Sequence, residues 1–210
     1  KNISLFPYTL NNKLFFKIVG TGYEDIPNNF NPESGTVSKA IVTCPVCNST
    51  IDSSTTRRLF KSNKSGNQMI AVVYNTKGMG KDYKIKTEND IAIYKKSESY
   101  LHELEKKLYK KWGISPIPNE PIPEGKGRGA ERGFSLRNYN LDTWGDIFNS
   151  RQKVTLLILA DKIKECYPKI LNEISDKEYA RAICSYLAMT FDRMASSYNT
   201  LTQWQAGSEK

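Results

Sequence analysis

"TCPVCNSTI", residues 43–51, decides how the first half of this chain is read. Cys44 and Cys47 are separated by two residues, the spacing of one half of a tetrahedral thiolate site, and a structural zinc needs four ligands. The apolar run "KAIVT" leads into the pair and the turn-forming "NST" leads out of it, which fits a zinc knuckle at the tip of a β-hairpin. Two other readings stay open. A redox pair of the thioredoxin type stands at a helix N-terminus in a βαβ pattern, whereas the residues here point to strands. The pair can also have no role.

No second pair at that spacing follows in the chain. Cys166 and Cys184 lie far downstream, and Cys184 falls inside an apolar helical stripe, where a thiol acts as a small core residue. The single histidine, His102, neighbours Glu103 on the polar side of a helix and is read as solvated. Either the pair binds no metal, or its other ligands lie outside the sequence.

Outward from the pair, the first third reads as β. "ISLFPY", "KLFFKIV", "KAIVTC" and "QMIAVVY" are short runs rich in Ile, Val, Phe and Tyr, with turn-formers between them. The stretch "NSTIDSS" reads as a turn, and Arg57, Arg58, Lys61 and Lys64 follow in what reads as a loop after the knuckle. "NTKGMGKDY" supplies a turn through Gly78 and Gly80, and Asp82 stands where a phosphate loop would have Ser or Thr. One middle helix is expected over "SESYLHELEKKLYKKW". Its Leu101, Leu104, Leu108 and Trp112 share a face, and Gly113 follows as a stop.

"GISPIPNEPIPEGKGRGAERGF" reads as a linker or long loop, extended by four prolines and then loosened by glycines. Lys126, Arg128, Arg132 and, just beyond, Arg137 make it basic, which suits either phosphate contact or a solvated tether. The last part reads as helical. Thr143 and Asp146 have nearly the spacing of a capping box, and Ser175 and Glu178 have it fully. Pro168 is expected to kink or divide the first helix near Lys164 to Tyr167. Ala180, Ile183, Cys184, Leu187, Phe191, Met194 and Tyr198 line one face of the second, so the two should pack as an antiparallel pair. The expected class is α+β. It has a small antiparallel zinc-ribbon-like part over 1–90, a helix and a Pro/Gly-rich basic linker over 91–138, and a helical hairpin over 139–210.

The composition narrows the function. Of 210 residues, 31 are Lys or Arg and 22 are Asp or Glu, a formal net charge of +9. That favours acidic partners such as nucleic acid. No run has the length of a membrane span, and thiols without a disulfide pattern suit a reducing compartment, the cytoplasm. Apart from His102 no histidine stands ready as a base for a Ser or Cys nucleophile, no H-E-x-x-H occurs, and no glycine-rich strand-to-helix turn is present. No catalytic residue is assigned.

The order of "TCPVCNSTI", "QMIAVVYNTKGMGKDYKIKTENDIA", "RGFSLRNYNLDTWGDIFNSRQKVTLLILADKIKE" and "YARAICSYLAMTFDRMASSYNTLTQW" resembles the middle of the zinc-ribbon-containing adenine-specific DNA methylases. These are large proteins with an N-terminal domain of unknown function. The most specific positions are Tyr139, Trp144, Asp146, Ile147, Phe148, Arg151 and Gln152, followed by Tyr198, Asn199 and Trp204. Where family members have glycine after the second cysteine, this chain has Asn48, which also tolerates a left-handed backbone.

The resemblance implies methyl transfer from S-adenosylmethionine to the N6 of an adenine taken out of its duplex stack. In that family the cofactor motif and the first cysteine pair lie upstream, and a D-P-P-Y-type motif lies downstream. The chain is therefore expected to be an internal piece, inactive alone, that contributes DNA contact and scaffolding. Cys44 and Cys47 match the second half of the zinc ribbon, a half site only. S-adenosylmethionine is expected for the parent protein and not for this chain. The expected DNA contacts are Arg57, Arg58, Lys61, Lys64, Arg128, Arg132 and Arg137. Tyr139 and Trp144 are either base-stacking or core residues. Arg151 and Gln152 at a helix start are read as structural hydrogen-bonding residues, with readout of base edges as the alternative. The expected partners are DNA and the rest of the methyltransferase. The alternative is a protein-interaction module that docks through its helical pair.

Overall fold

The structure, a computed structural model, describes residues 2–76, 80–124 and 135–202. It is a mixed α+β chain with small antiparallel sheets, and it divides into two compact units, with the division falling inside one helix.

The first unit takes in residues 2–76, 80–91 and 135–140. Strands β1 (Ile3–Leu10) and β2 (Lys13–Gly20) pair antiparallel. Their two-residue turn places Asn11 at φ 50° and Asn12 at φ 57°. A turn left-handed at both positions matches the twist of a hairpin, and Asn tolerates it. Ile18 and Val19 are the buried end of this hairpin. Strands β3 (Val37–Ser38), β4 (Ile41–Thr43) and β5 (Thr50–Ile51) make a second small sheet, and β6 (Ala71–Thr76) with β7 (Gly80–Ile85) a third. The Tyr23 hydroxyl joins the first and third sheets: it bonds the Asp82 carboxylate and accepts the Tyr83 N–H at 2.9 Å.

Helix α1 (Ser53–Lys61) follows β5 directly and packs on the 3-10 helix Ser135–Tyr139. Helix α2 (Glu88–Trp112) starts in this unit, where Asp90 accepts the Thr87 N–H at 2.8 Å and Lys84 Nζ at 3.0 Å.

The second unit takes in residues 92–124 and 141–202. It contains the rest of α2, a 3-10 helix at Trp144–Ile147, α3 (Ser150–Ile174) and α4 (Lys177–Ser197). The leucines predicted to share a face of α2 do so: Leu104 and Leu108 bury against Leu157 of α3, with Leu101, Trp112, Ile117 and Val154 around them. A two-residue connection returns α4 along α3, so the expected antiparallel pair is present.

Five local expectations are corrected. In the stretch read as a turn, "NTKGMGKDY", Asn75 and Thr76 end β6 and Gly80 to Tyr83 begin β7. The residues after the cysteine turn are not a loop but α1, because Asp52 caps a helix start that reads in sequence as a polar turn. Pro168 does not divide its helix. α3 runs through it with the ring on the exposed side, where the freed Lys164 carbonyl can turn to water. The cap of α4 is Asp176, whose carboxylate accepts the Glu178 and Tyr179 N–H groups at 2.9 and 3.0 Å; Ser175 instead ends α3 in a left-handed conformation, φ 58°. The described part of the proline-rich stretch is extended but packed. The Ile122 N–H donates to the Asp142 carbonyl at 2.8 Å, the Gly145 N–H donates to that of Pro118 at 3.0 Å, and Ile122 is fully buried.

Candidate functional site

The cysteine turn sits where the sequence places it, between the paired strands β4 and β5. The Cys44 N–H donates to the Ser49 carbonyl at 2.8 Å, and the Asn48 N–H donates back to the Cys44 carbonyl at 2.9 Å. Asn48 takes the left-handed conformation, φ 58°, that the residue after the second cysteine was expected to tolerate. Both cysteines are free thiols, Cys44 half-buried and Cys47 exposed. Cys47 Sγ lies 3.0 Å from Ser49 Oγ. That hydroxyl, with the Ser49 amide and Cys44, holds the Cys47 thiol below its ordinary range. Two thiols on one hairpin tip fit half of a tetrahedral thiolate set. Among the described residues no cluster of three or more His, Cys, Asp or Glu side chains could complete it.

Asp52 then turns the chain into α1. Its carboxylate accepts the Ser54 and Thr55 N–H groups at 2.8 and 2.9 Å and both hydroxyls at 2.6 and 2.8 Å. These four donors hold it well below the usual carboxylate range. The helix buries Thr56 and half-buries Leu59 and Phe60, which leaves Arg57, Arg58 and Lys61 exposed on its other side. Lys64 follows, its N–H tied to the Leu59 carbonyl at 2.9 Å, and its side chain is exposed as well. Part of this arrangement serves the helix itself, since cations in the last turn answer its dipole. Yet none of the four cations meets a carboxylate among the described residues.

Arg137, on the 3-10 helix that packs against α1, is half-buried. The structure thus brings five of the seven expected DNA contacts onto α1, its exit and its neighbour. Arg128 and Arg132 lie outside the described residues, as do Gly78 and Trp204.

The aromatic candidates separate. The Tyr139 ring meets Phe60 edge-on, centroids 5.3 Å apart at 89°, and so ties the 3-10 helix to α1. Trp144, in the second unit, is exposed rather than packed inward. Gln152 does hydrogen-bond at a helix start: it caps α3 reciprocally with Asn149, at 2.9 and 3.0 Å. Arg151 beside it is exposed, and so is His102.

The helices that follow strands, α1 and α2, have their first amides already taken by Asp52 and by the Thr87–Asp90 pair, and neither start is glycine-rich. No described residue is assigned to S-adenosylmethionine. Sequence reading missed Ser49 and Asp52, the residues that set the cysteine turn and launch the basic helix. The available signal was Asp followed by Ser-Ser-Thr, an N-cap pattern.

Neither family models nor curated proteins nor solved structures give a match to this chain.

Proposed function

We propose that this chain is a DNA-contacting and scaffolding region of an S-adenosylmethionine-dependent DNA adenine-N6 methyltransferase that works in the cytoplasm. The observation that supports it is the exposed basic side of α1 and its exit, where Arg57, Arg58, Lys61 and Lys64 stand without carboxylate partners among the described residues, next to the cysteine turn. Guanidinium and ammonium groups so placed neutralise phosphates and release counterions. Cys44 and Cys47 would supply two thiolates to a structural zinc, which would fix the turn that launches α1. The other donors would come from elsewhere in the same protein. The methyl transfer itself is assigned to no residue of this chain.

The alternative, a protein-interaction module, draws on one observation: Tyr179, Tyr186 and Met189 stand exposed on α4. A duplex-binding titration at two salt concentrations separates the readings. On the first, Arg57→Gln/Arg58→Gln/Lys61→Gln lowers affinity and reduces the salt slope by about 0.9 per lost phosphate contact. Weak, salt-insensitive binding by the unsubstituted chain overturns that reading.

A further inference from the structure

The β1–β2 hairpin has a face that the reading above does not use. The register sets Phe6 opposite Lys17, Tyr8 opposite Phe15 and Leu10 opposite Lys13, and directly opposed residues share a face. At one end this face is covered. Val19 is fully buried, Phe6 meets Phe30 edge-on at 5.0 Å, and Lys17 Nζ lies 5.6 Å from the centre of the Phe6 ring. Beyond Phe6 the cover stops. Tyr8 and Phe15 stack with centroids 5.7 Å apart and planes 25° from parallel, yet remain 39% and 41% exposed. Lys13 and Lys17 flank Phe15 along its strand, Lys17 in a pair with Glu24 at 2.5 Å.

We propose that Tyr8 and Phe15 form a stacking platform for unpaired nucleobases, with Lys13 and Lys17 answering the phosphates of the same strand. The proposal deepens the DNA-contact reading and rests on it for the nature of the polymer. Every base has a π-face, so aromatic rings held out to solvent accept any of them, and adjacent cations hold the backbone. Ordering costs are small, because the rings already brace each other on a strand pair. Spacing selects the state of the strand. The two rings sit side by side across the strand pair with centroids 5.7 Å apart, wider than the stacking repeat of about 3.4 Å between duplex bases. A duplex base has both π-faces covered by its neighbours, so a base that lies on either ring must leave its stack. The exposed Lys17–Glu24 pair does not block this, since exposed ion pairs are weak and exchange readily. A purely apolar protein partner would have no use for cations beside the rings, and this balance favours a polyanion.

The test is an anisotropy titration of the whole 210-residue chain with labelled oligothymidylate and, separately, with duplex DNA of equal length. Tyr8→Leu/Phe15→Leu keeps apolar bulk and removes both π-faces. The expected result is a loss of oligothymidylate affinity of about tenfold or more, with the salt slope and duplex affinity unchanged. Should the double variant melt early, Tyr8→Leu alone carries the same expectation in one direction with half the stack kept. Oligothymidylate binding that is absent in the unsubstituted chain, or undiminished in the variants, overturns the proposal. A dimer in sedimentation that the leucine variants dissociate without loss of oligothymidylate binding also overturns it, in favour of a second copy on this face. Failure of the α1 substitutions to alter duplex binding counts against the α1 reading alone and leaves the oligothymidylate result to decide this one.

Discussion

Trp112 donates its indole N–H to Asp161 Oδ1 at 3.1 Å, and the same oxygen accepts Lys111 Nζ at 2.7 Å. One carboxylate of α3 thus holds two neighbouring residues at the end of α2, while Lys164 stands over the Trp112 ring at 4.2 Å. Asp161→Ala leaves the half-buried indole N–H without this acceptor. A loss of about 1–3 kcal/mol is expected, read as a lower denaturation midpoint of the helical signal.

Acid should weaken the same junction and, separately, the start of α2. Glu165, bonded by Lys111 and Lys162, is held down to about 2 from an ordinary 4.5. Asp90 is held down to about 2 by the Thr87 hydroxyl and amide and by Lys84. A carboxyl depressed in the folded state binds its proton more readily when unfolded, so its contribution is present above the unfolded value and fades as pH falls toward the folded one. Stability should therefore fall between about pH 4.5 and 2, and Glu165→Gln should flatten part of that decline. Melting temperature against pH, with and without the substitution, is the measurement.

The turn between β3 and β4 is strained. Lys39 and Ala40 hold φ of 50° and 65°, a region that suits Asn and Gly. Ala40→Gly relieves the left-handed cost and gives back part of it in chain entropy, for a net gain of about 0.5–1 kcal/mol. Urea unfolding followed at the first unit should show a higher midpoint.

Gly145 cannot take a side chain where it lies. A Cβ there would stand 2.6 Å from the Pro118 carbonyl oxygen and 2.7 Å from Ile117 Cγ2. Gly145→Ala must push apart the pairing of the proline-rich stretch with residues 142–145, at a cost of about 1–3 kcal/mol. Gly66→Ala, which would meet nothing within 4 Å, should be nearly neutral by the same thermal melt.

The cysteine turn should bind cobalt(II) weakly, with a thiolate charge-transfer band that Cys47→Ser abolishes. Two ligands leave most of the binding free energy of a closed site unrealised, so a mild chelator should strip the metal without changing the far-UV spectrum. Tight metal retention by this chain alone would mean that it carries further donors of its own.

Much of the architecture was legible where side-chain pattern and burial agree. The runs around Phe15, Val42 and Val72 became strands because β-branched and aromatic residues favour them, and Leu104 and Leu108 disclosed the buried face of α2. α1 was hidden because Ser53 to Thr56 are weak helix formers; the helix exists through its cap, through contacts with β4, and through Tyr139, which is distant in sequence. β7 was hidden by its polar residues, since Asp82 and Tyr83 face a partner, Tyr23, that no local pattern discloses. For the basic surface, the residue list was readable, but its gathering beside the 3-10 helix at Arg137 was not.

The three sheets among the described residues join strands that are neighbours along the chain, with β1 to β2 and β3 to β4 closed by two-residue turns. None of these ladders has to wait for a remote segment, so loop-closure entropy is small and a hairpin of this kind can close within about 1–10 μs. Refolding of this part of the chain should then be paced by its long-range latches between preformed pieces, Tyr23 onto Asp82 and Tyr83 and Tyr139 onto Phe60.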